Sequence, residues 1–241
     1  MLDGKEVAKK FGGLWAVSGL DFFVEKGQII GLIGPNGSGK TTLFNLITGF
    51  HSADRGEIFF NGEDITRYKP YQIAKLGIAR TFQIVRPFHE LTVLENVAVA
   101  ALYGRENIHT MARGKEKARS VLDFVGLEPK KDATVHDLMA VEMKRLELAR
   151  ALAIKPELLL LDETFSGLNP NEIQEAIKLI HRIRDDLGIT IFMIEHVMKA
   201  VMGTCEKIIV MHYGVKLTEG EPREVAKDPS VIKAYLGRRH A

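Results

Sequence analysis

Cysteine is almost missing from this sequence: Cys205 is the only one in 241 residues. That excludes an internal disulfide framework and any Cys-rich metal site, and it fits a reducing compartment. The plain reading of Cys205 is a buried apolar thiol. Long hydrophobic runs are also lacking. Stretches such as Leu158 to Leu161 fall far short of the roughly 18 to 20 residues needed to cross hydrocarbon, so any membrane role must run through partners. No basic segment followed by an apolar core opens the sequence, and no secretory signal is expected. Charge of one sign is not in excess, because 33 Lys and Arg stand against 31 Asp and Glu for a net +2. With those charges scattered, no basic stripe argues for nucleic acid. Internal repeats and low-complexity linkers are absent too. What is present is a composition that is 46% hydrophobic, enough to bury a substantial core as one large domain or a domain with a subdomain.

The opening third reads as short strands around one Gly-rich turn: Leu20 to Val24, Gln28 to Ile33 and Ile58 to Phe60, with Asn61-Gly62 marking a hairpin. From Leu91 to about Leu152 the pattern turns helical, with Val93, Val97 and Ala101 spaced by fours and a charged stretch near Arg113 to Arg119. The remainder alternates an apolar strand (Leu158 to Leu161), a helix begun by Asn169-Pro170 and ended at Gly188, and a second apolar strand (Ile189 to Ile194). Such alternation predicts a parallel α/β core. Within that helix, Ile173, Ile177 and Ile180 form a packing stripe.

Gly34-Pro35-Asn36-Gly37-Ser38-Gly39-Lys40-Thr41 matches the P-loop pattern, after a strand ending at Ile33 and before a helical Leu43 to Ile47. The glycines let backbone N–H groups converge on phosphate oxygens, and the helix N-terminus adds a positive dipole end. Lys40 then reaches the terminal phosphates and Thr41 offers a hydroxyl to Mg²⁺, while Thr42 can add a further phosphate contact. Leu158 to Leu161 lead into Asp162-Glu163, two carboxylates at the strand end where open α/β sheets bind ligands. Asp162 is expected to hold the Mg²⁺ hydration shell and Glu163 to polarise the water that attacks the γ-phosphate.

Kinases and GTPases share those two elements, so the choice among P-loop proteins rests on what else the chain carries. Phe11 precedes the P-loop strand and can stack on adenine. Gln83 closes Gly77-Ile78-Ala79-Arg80-Thr81-Phe82-Gln83 and can bridge Mg²⁺, water and the helical segment. Ser166-Gly167-Leu168-Asn169 follows the acidic pair, and His196 ends the next strand, where its imidazole can bond the γ-phosphate. Taken singly, Phe11 reads equally as core packing, Gln83 as an exposed loop amide and His196 as a strand-end histidine.

The order P-loop, glutamine, a short motif before Leu-Ala-Arg-Ala-Leu, Asp-Glu, a turn motif, then histidine resembles the ABC ATPase family over essentially the whole chain. Gly77 to Gln83, Leu91 to Val97, Gly167 to Pro170, Glu195 to Met198 and Ala234-Tyr235-Leu236-Gly237 look like its branched-chain amino acid importer branch. The resemblance implies an α/β fold with a P-loop NTPase core of the ABC type, an antiparallel β lobe and an inserted α-helical subdomain. It implies one cassette over 1–241: a β lobe and P-loop (1–83), a helical subdomain (84–155), and the core remainder with a C-terminal extension (156–241). ATP and Mg²⁺ are the implied ligands. Phe11, Gly34, Asn36, Gly37, Ser38, Gly39, Lys40, Thr41 and Thr42 are the expected nucleotide contacts. Thr41, Gln83 and Asp162 are expected around the metal, and Glu163, His196 and Gln83 in catalysis. The implied partners are ABC permease subunits, a second ATPase subunit in a head-to-tail dimer and, indirectly, a substrate-binding protein, at the cytoplasmic face of the inner membrane. No nucleic acid is implied.

The family's Leu-Ser-Gly-Gly-Gln signature aligns here with Leu138-Met139-Ala140-Val141-Glu142, which removes a hydroxyl donor and adds bulk where a backbone approaches phosphate. Losing one such donor typically costs ~3 kcal/mol of transition-state stabilisation. Thr164 also stands where the family usually has proline, and Asn169 where many members have aspartate. The altered signature predicts slow hydrolysis, or pairing with a different ATPase so that one composite site is weak. A regulatory subunit that clamps ATP without turnover, and a non-transport ABC ATPase, are the alternatives. The latter would carry a coiled-coil insertion, a zinc hook or tandem cassettes, and the sequence has none of them.

Overall fold

The computed structural model describes residues 1–236. Gly237, the last residue of the Ala234 to Gly237 motif, and the end of the C-terminal extension lie outside the described residues. Two antiparallel strands, β1 (Leu2–Phe11) and β2 (Leu14–Val24), come first. The sequence predicts only the second half of β2 and does not mark β1. The reason is a bulge: pairing shifts between Gly4 and Val7, Glu6 takes φ 49°, and adjacent Val7 and Ala8 are both buried, which breaks period-two alternation.

β3 (Ile29–Ile33) runs through the Gly-rich turn into α1 (Lys40–Ile47). β4 (Arg55–Phe60) and β5 (Glu63–Asp64) form the hairpin expected at Asn61-Gly62, where φ is 50° and 85°. Two positive φ values are what a type I′ turn requires. α2 (Pro70–Leu76) stops at Gly77, whose φ of 107° reverses the chain into β6 (Ile78–Arg80). The predicted helical stretch holds α3 (Val93–Leu102), α4 (Met111–Phe124) and α5 (Ala140–Ala153). α3 begins on a Thr92/Glu95 capping box and buries Val93, Val97 and Ala101 between α4 and α5.

β7 (Leu158–Asp162) is followed by α6 (Pro170–Leu187) and β8 (Thr190–Ile194). The Asn169 side chain accepts the first free N–H groups of α6, those of Asn171 and Glu172, at 2.9 and 3.0 Å. Gly188 (φ 66°) ends that helix, and its Ile173, Ile177 and Ile180 face inward. α7 (Met198–Thr204), β9 (Lys207–His212), β10 (Val215–Gly220), α8 (Pro222–Val225) and α9 (Pro229–Leu236) complete the described chain.

β1, β2, β4 and β5 make one antiparallel sheet. The second sheet runs β10-β9-β3-β8-β7-β6 and is parallel apart from β10. Its inner strands β3, β7 and β8, and the middle of β9, are buried on both faces, which is why they read as apolar runs, whereas the edge strand β10 is largely exposed. Ile29, Ile33, Leu159, Leu161, Ile191 and Met193 pack with α3, α5 and α6. Their neighbours Ile30, Leu32, Leu158, Leu160, Phe192 and Ile194 pack with α1 and the antiparallel sheet. Each of the four fully buried leucines of β7 stabilises the fold by about 1.5–3 kcal/mol. Cys205 sits in the first core, where burial pushes its thiol up to about 12, an inert group as its sequence context suggests.

Candidate active site

Parallel pairing aligns Leu32 with Ile194, and Ile194 with Asp162. The P-loop, the acidic pair and His196 therefore leave the sheet at one edge, and Gln83 follows β6 at the same edge. That edge is where a parallel sheet offers loops rather than core.

The P-loop is backbone-tight. Gly34 and Gly39 have φ of 152° and 104°, and a Cβ on either would lie 2.1 Å from a carbonyl oxygen, of Met211 and Ala16 respectively. Only glycine can let the main chain close into this cradle. Asn36 and Gly37 are exposed at its rim, Ser38 is buried behind them, and Lys40, Thr41 and Thr42 form the first turn of α1. The Lys40 ammonium donates to the carbonyls of Gly34 (2.8 Å) and Pro35 (3.0 Å). Burial holds its pKa below the ordinary lysine value, against the pull of Glu163 and Asp162. The Ser38 hydroxyl is buried with no hydrogen-bond partner among the described residues. A buried unmet hydroxyl, a sequestered ammonium and a glycine cradle fit a polyphosphate. Among the described residues no three His, Cys, Asp or Glu converge as a metal cage. The oxygen donors here, Thr41 and Asp162, suit Mg²⁺, which keeps water and takes phosphate oxygens.

Asp162 is the last residue of β7, and its carboxylate is 5% exposed and paired to Arg80 at 2.7 Å. Arg80 also donates to Asn45 on α1 at 2.7 Å and lies between the rings of Phe44 and Phe82, 5.6 and 5.0 Å from their centres. Glu163 follows with φ 51°. Its carboxylate is held on both sides: Gln83 Nε2 donates to Oε2 at 2.6 Å, and His196 Nε2 lies 3.1 Å from Oε1. The structure thus brings Gln83, Glu163 and His196 into one hydrogen-bonded set. Phe11 sits apart from it, half-exposed, its ring edge-on to His51 at 5.2 Å, on the β-hairpin whose Ala16 carbonyl abuts Gly39.

Behind the edge, Glu195 is buried beneath the turn and accepts the Phe165 N–H at 2.9 Å. Burial pushes its carboxyl up to about 7, opposed by backbone N–H donors from Phe165, His196 and Val197 and by Lys144. The Glu147 carboxylate on α5 accepts the Phe82 N–H at 3.3 Å, and Arg150 donates to the Arg86 carbonyl at 2.9 Å. The sequence alone assigns no role to Arg80, Lys144, Glu147 or Glu195, although Arg80 lies inside the Gly77 to Gln83 motif and Glu195 stands beside His196.

α5 starts at Ala140, and Met139 is exposed at the N-cap with no side-chain cap bond. Glu142 instead reaches back to the Met139 N–H at 2.8 Å and pairs with Lys130 at 2.8 Å. That lysine bond, more than the backbone one, holds the Glu142 carboxyl below its usual range. Beside Gln83 opens a groove of about 680 Å³ between α2, α3 and α5, with Phe50, Ile73, Phe82, Ile84, Ala100 and Ile154 among its walls.

Comparison with known proteins gives a consistent picture. A family model described as "ABC transporter" matches residues 17–166, and one described as "Branched-chain amino acid ATP-binding cassette transporter" matches residues 215–241. The chain is 38% identical to the high-affinity branched-chain amino acid transport ATP-binding protein BraF of Pseudomonas aeruginosa, over 98% of each chain. It is 38% identical to LivG of Escherichia coli, a protein of the same description, over 95% of this chain and 94% of that one. Among solved structures, a nucleotide-free ATP-binding cassette from an ABC transporter superposes with a TM-score of 0.90 at 33% identity, covering 98% of this chain and 99% of the other. The ADP conformation of a similar cassette gives the same TM-score and identity, covering 98% of each.

Proposed function

The chain belongs to the ABC transporter family of ATP-binding cassettes, and from that premise we propose that it is the ATPase subunit of an importer for branched-chain or related amino acids. Its organisation is read as a β lobe with the P-loop (1–83), a helical subdomain (84–155) and a core remainder (156–241), in keeping with α3 to α5 falling inside the middle segment. The P-loop amides, Ser38, Lys40, Thr41 and Thr42 bind the phosphates of ATP, and Phe11 supports the adenine. Thr41, Asp162 and Gln83 hold Mg²⁺, which supplies charge neutralisation at the phosphate oxygens.

Glu163 accepts a proton from the attacking water as its oxygen bonds to the γ-phosphorus. The bond to the β–γ bridging oxygen breaks, and ADP and phosphate leave. Gln83 and His196 orient that carboxylate, and His196 can turn to the γ-phosphate. The groove beside Gln83 takes a cytoplasmic helix of the permease, so that the state of the nucleotide is felt at its wall. A second ATPase subunit closes over the nucleotide, and a substrate-binding protein acts indirectly through the permease, at the cytoplasmic face of the inner membrane. Among the described residues no helix is long and apolar enough to cross it.

The observation that carries this reading is the Glu163 carboxylate held between Gln83 and His196 at the edge that Lys40 faces. Glu163→Gln should lower ATP turnover at least ~10²-fold, the scale of a lost general base, while equilibrium binding of Mg-ATP persists. Wild-type turnover in that variant, or no ATP binding by either protein, overturns it.

One observation favours a second element. With Met139 in place of a hydroxyl and a carboxylate, Glu142, in the first turn of α5, this chain offers a poor grip to a partner's γ-phosphate. It therefore pairs with a different ATPase that supplies the better signature to this P-loop. Steady-state hydrolysis should be slow for the purified chain and rise when that second subunit is added; robust turnover by the chain alone counts against unequal sites.

A further inference from the structure

The turn after Glu163 is held in an unusual way. Glu163 has φ 51°, a conformation costly for a non-glycine residue and kept only where the surroundings impose it. Thr164, next along, has no ring to restrain it, and its hydroxyl is buried with no partner among the described residues. The restraint arrives from elsewhere in the chain. Lys144 on α5 donates to the Thr164 carbonyl at 2.8 Å and also to the Ser166 carbonyl. Between those two oxygens the Phe165 N–H is taken by Glu195, and the Phe165 ring is fully buried. The peptide groups that follow Glu163 are thus cross-linked from two sides.

Lys144, Glu147 and Arg150 recur every three residues, along one side of α5. Lys144 grips the turn after Glu163, Glu147 takes the Phe82 N–H, and Arg150 takes the Arg86 carbonyl. One rigid rod therefore holds the segment carrying Gln83 and the turn carrying Glu163, whose side chains meet at 2.6 Å. A lysine is well matched to that position, because its ammonium has three donors and no acceptor and can satisfy two carbonyls at once.

We propose that Lys144 is a positioning residue for hydrolysis: by tying the turn after Glu163 to the helix that also holds the Gln83 segment, it sets where the general base stands. The proposal rests on the ATPase reading above, and it concerns how fast bound ATP is cleaved rather than how tightly ATP is held.

The test compares the purified full-length chain with Lys144→Met, which keeps the apolar stem and removes the donors, and Lys144→Arg, which restores donors. Lys144→Met should lower kcat ten- to hundredfold, the scale of a base displaced by about 1 Å, with KM and Kd for ATP within about twofold. Lys144→Arg should recover most of kcat. Amide hydrogen exchange of Phe165 to Leu168 should quicken at least about tenfold in Lys144→Met and leave the interior of α5 unchanged. Wild-type kcat and exchange in Lys144→Met would overturn the proposal, as would equal losses in both variants with faster exchange along all of α5. A wild-type chain with no turnover would count against the proposed ATPase function, whereas exchange of Phe165 to Leu168 left at the wild-type rate in Lys144→Met would overturn the tie between Lys144 and the turn whatever the turnover.

Discussion

Replacing Arg80 with methionine tests how Asp162 is held. The two charged groups are each 5% exposed and 2.7 Å apart, so removing the cation strands a carboxylate in the interior, which costs about 3–5 kcal/mol. The variant also loses the bond to Asn45, worth about 1 kcal/mol. Methionine packing against Phe44 and Phe82 returns part of this, leaving a net loss of about 4 kcal/mol. In a chain of this length 1 kcal/mol moves Tm by about 2–4 °C, so Arg80→Met should melt about 10 °C lower. Urea titration should show a lower midpoint at unchanged slope. Asp162→Asn alone should cost less, because an amide oxygen still accepts from Arg80. The double variant should be at least ~2 kcal/mol more stable than the sum of the singles requires, since neither stranded charge remains. A loss below about 1 kcal/mol in Arg80→Met, or simple additivity in the double variant, would show that the pair is not holding Asp162.

Two further outcomes follow from the same geometry. Glu195 titrates near 7 in the folded chain against 4.5 as a free side chain, so between those values the folded state keeps a proton that the unfolded state releases. Its contribution is level below about pH 4.5, falls as pH rises through the window, and reaches a loss of about 3 kcal/mol above pH 7. The stability of wild type relative to Glu195→Gln should therefore drop by roughly that amount between pH 4.5 and 8 in parallel urea titrations; a pH-independent difference would refute the assignment. Gly39→Ala places a methyl 2.1 Å from the Ala16 carbonyl at φ 104°, so ATP binding by calorimetry should fall at least tenfold, and a variant that binds as wild type would mean the loop has slack.

Much of the architecture could be read from residues alone, where chemistry and spacing are inseparable. The P-loop needs its glycines because Gly34 and Gly39 leave no room for a Cβ. β7 stands out because both its faces are buried, and α6 because Asn169-Pro170 and Gly188 mark its ends. β1 is hidden by the bulge at Glu6, which no periodicity rule anticipates. The gripping side chains are hidden for another reason. Long cations such as Arg80 and Lys144 read as surface, and their partners lie 82 and 20 residues away along the chain. Only the folded register reveals that Arg80 meets Asp162 or that Lys144 meets Thr164.

The six-stranded sheet is also a partition wall. Side chains on its two sides belong to separate interiors, one shared with α1 and the β lobe, the other with α3, α5 and α6. A methyl group added or deleted in one room has no packed neighbour in the other, so the halves can drift independently under mutation as long as their common doorway stays true. That doorway is the strip of loops where the strands end. There Asn45 on α1, Arg80 and Asp162 are fastened together, so what one room holds can be felt in the other at that point.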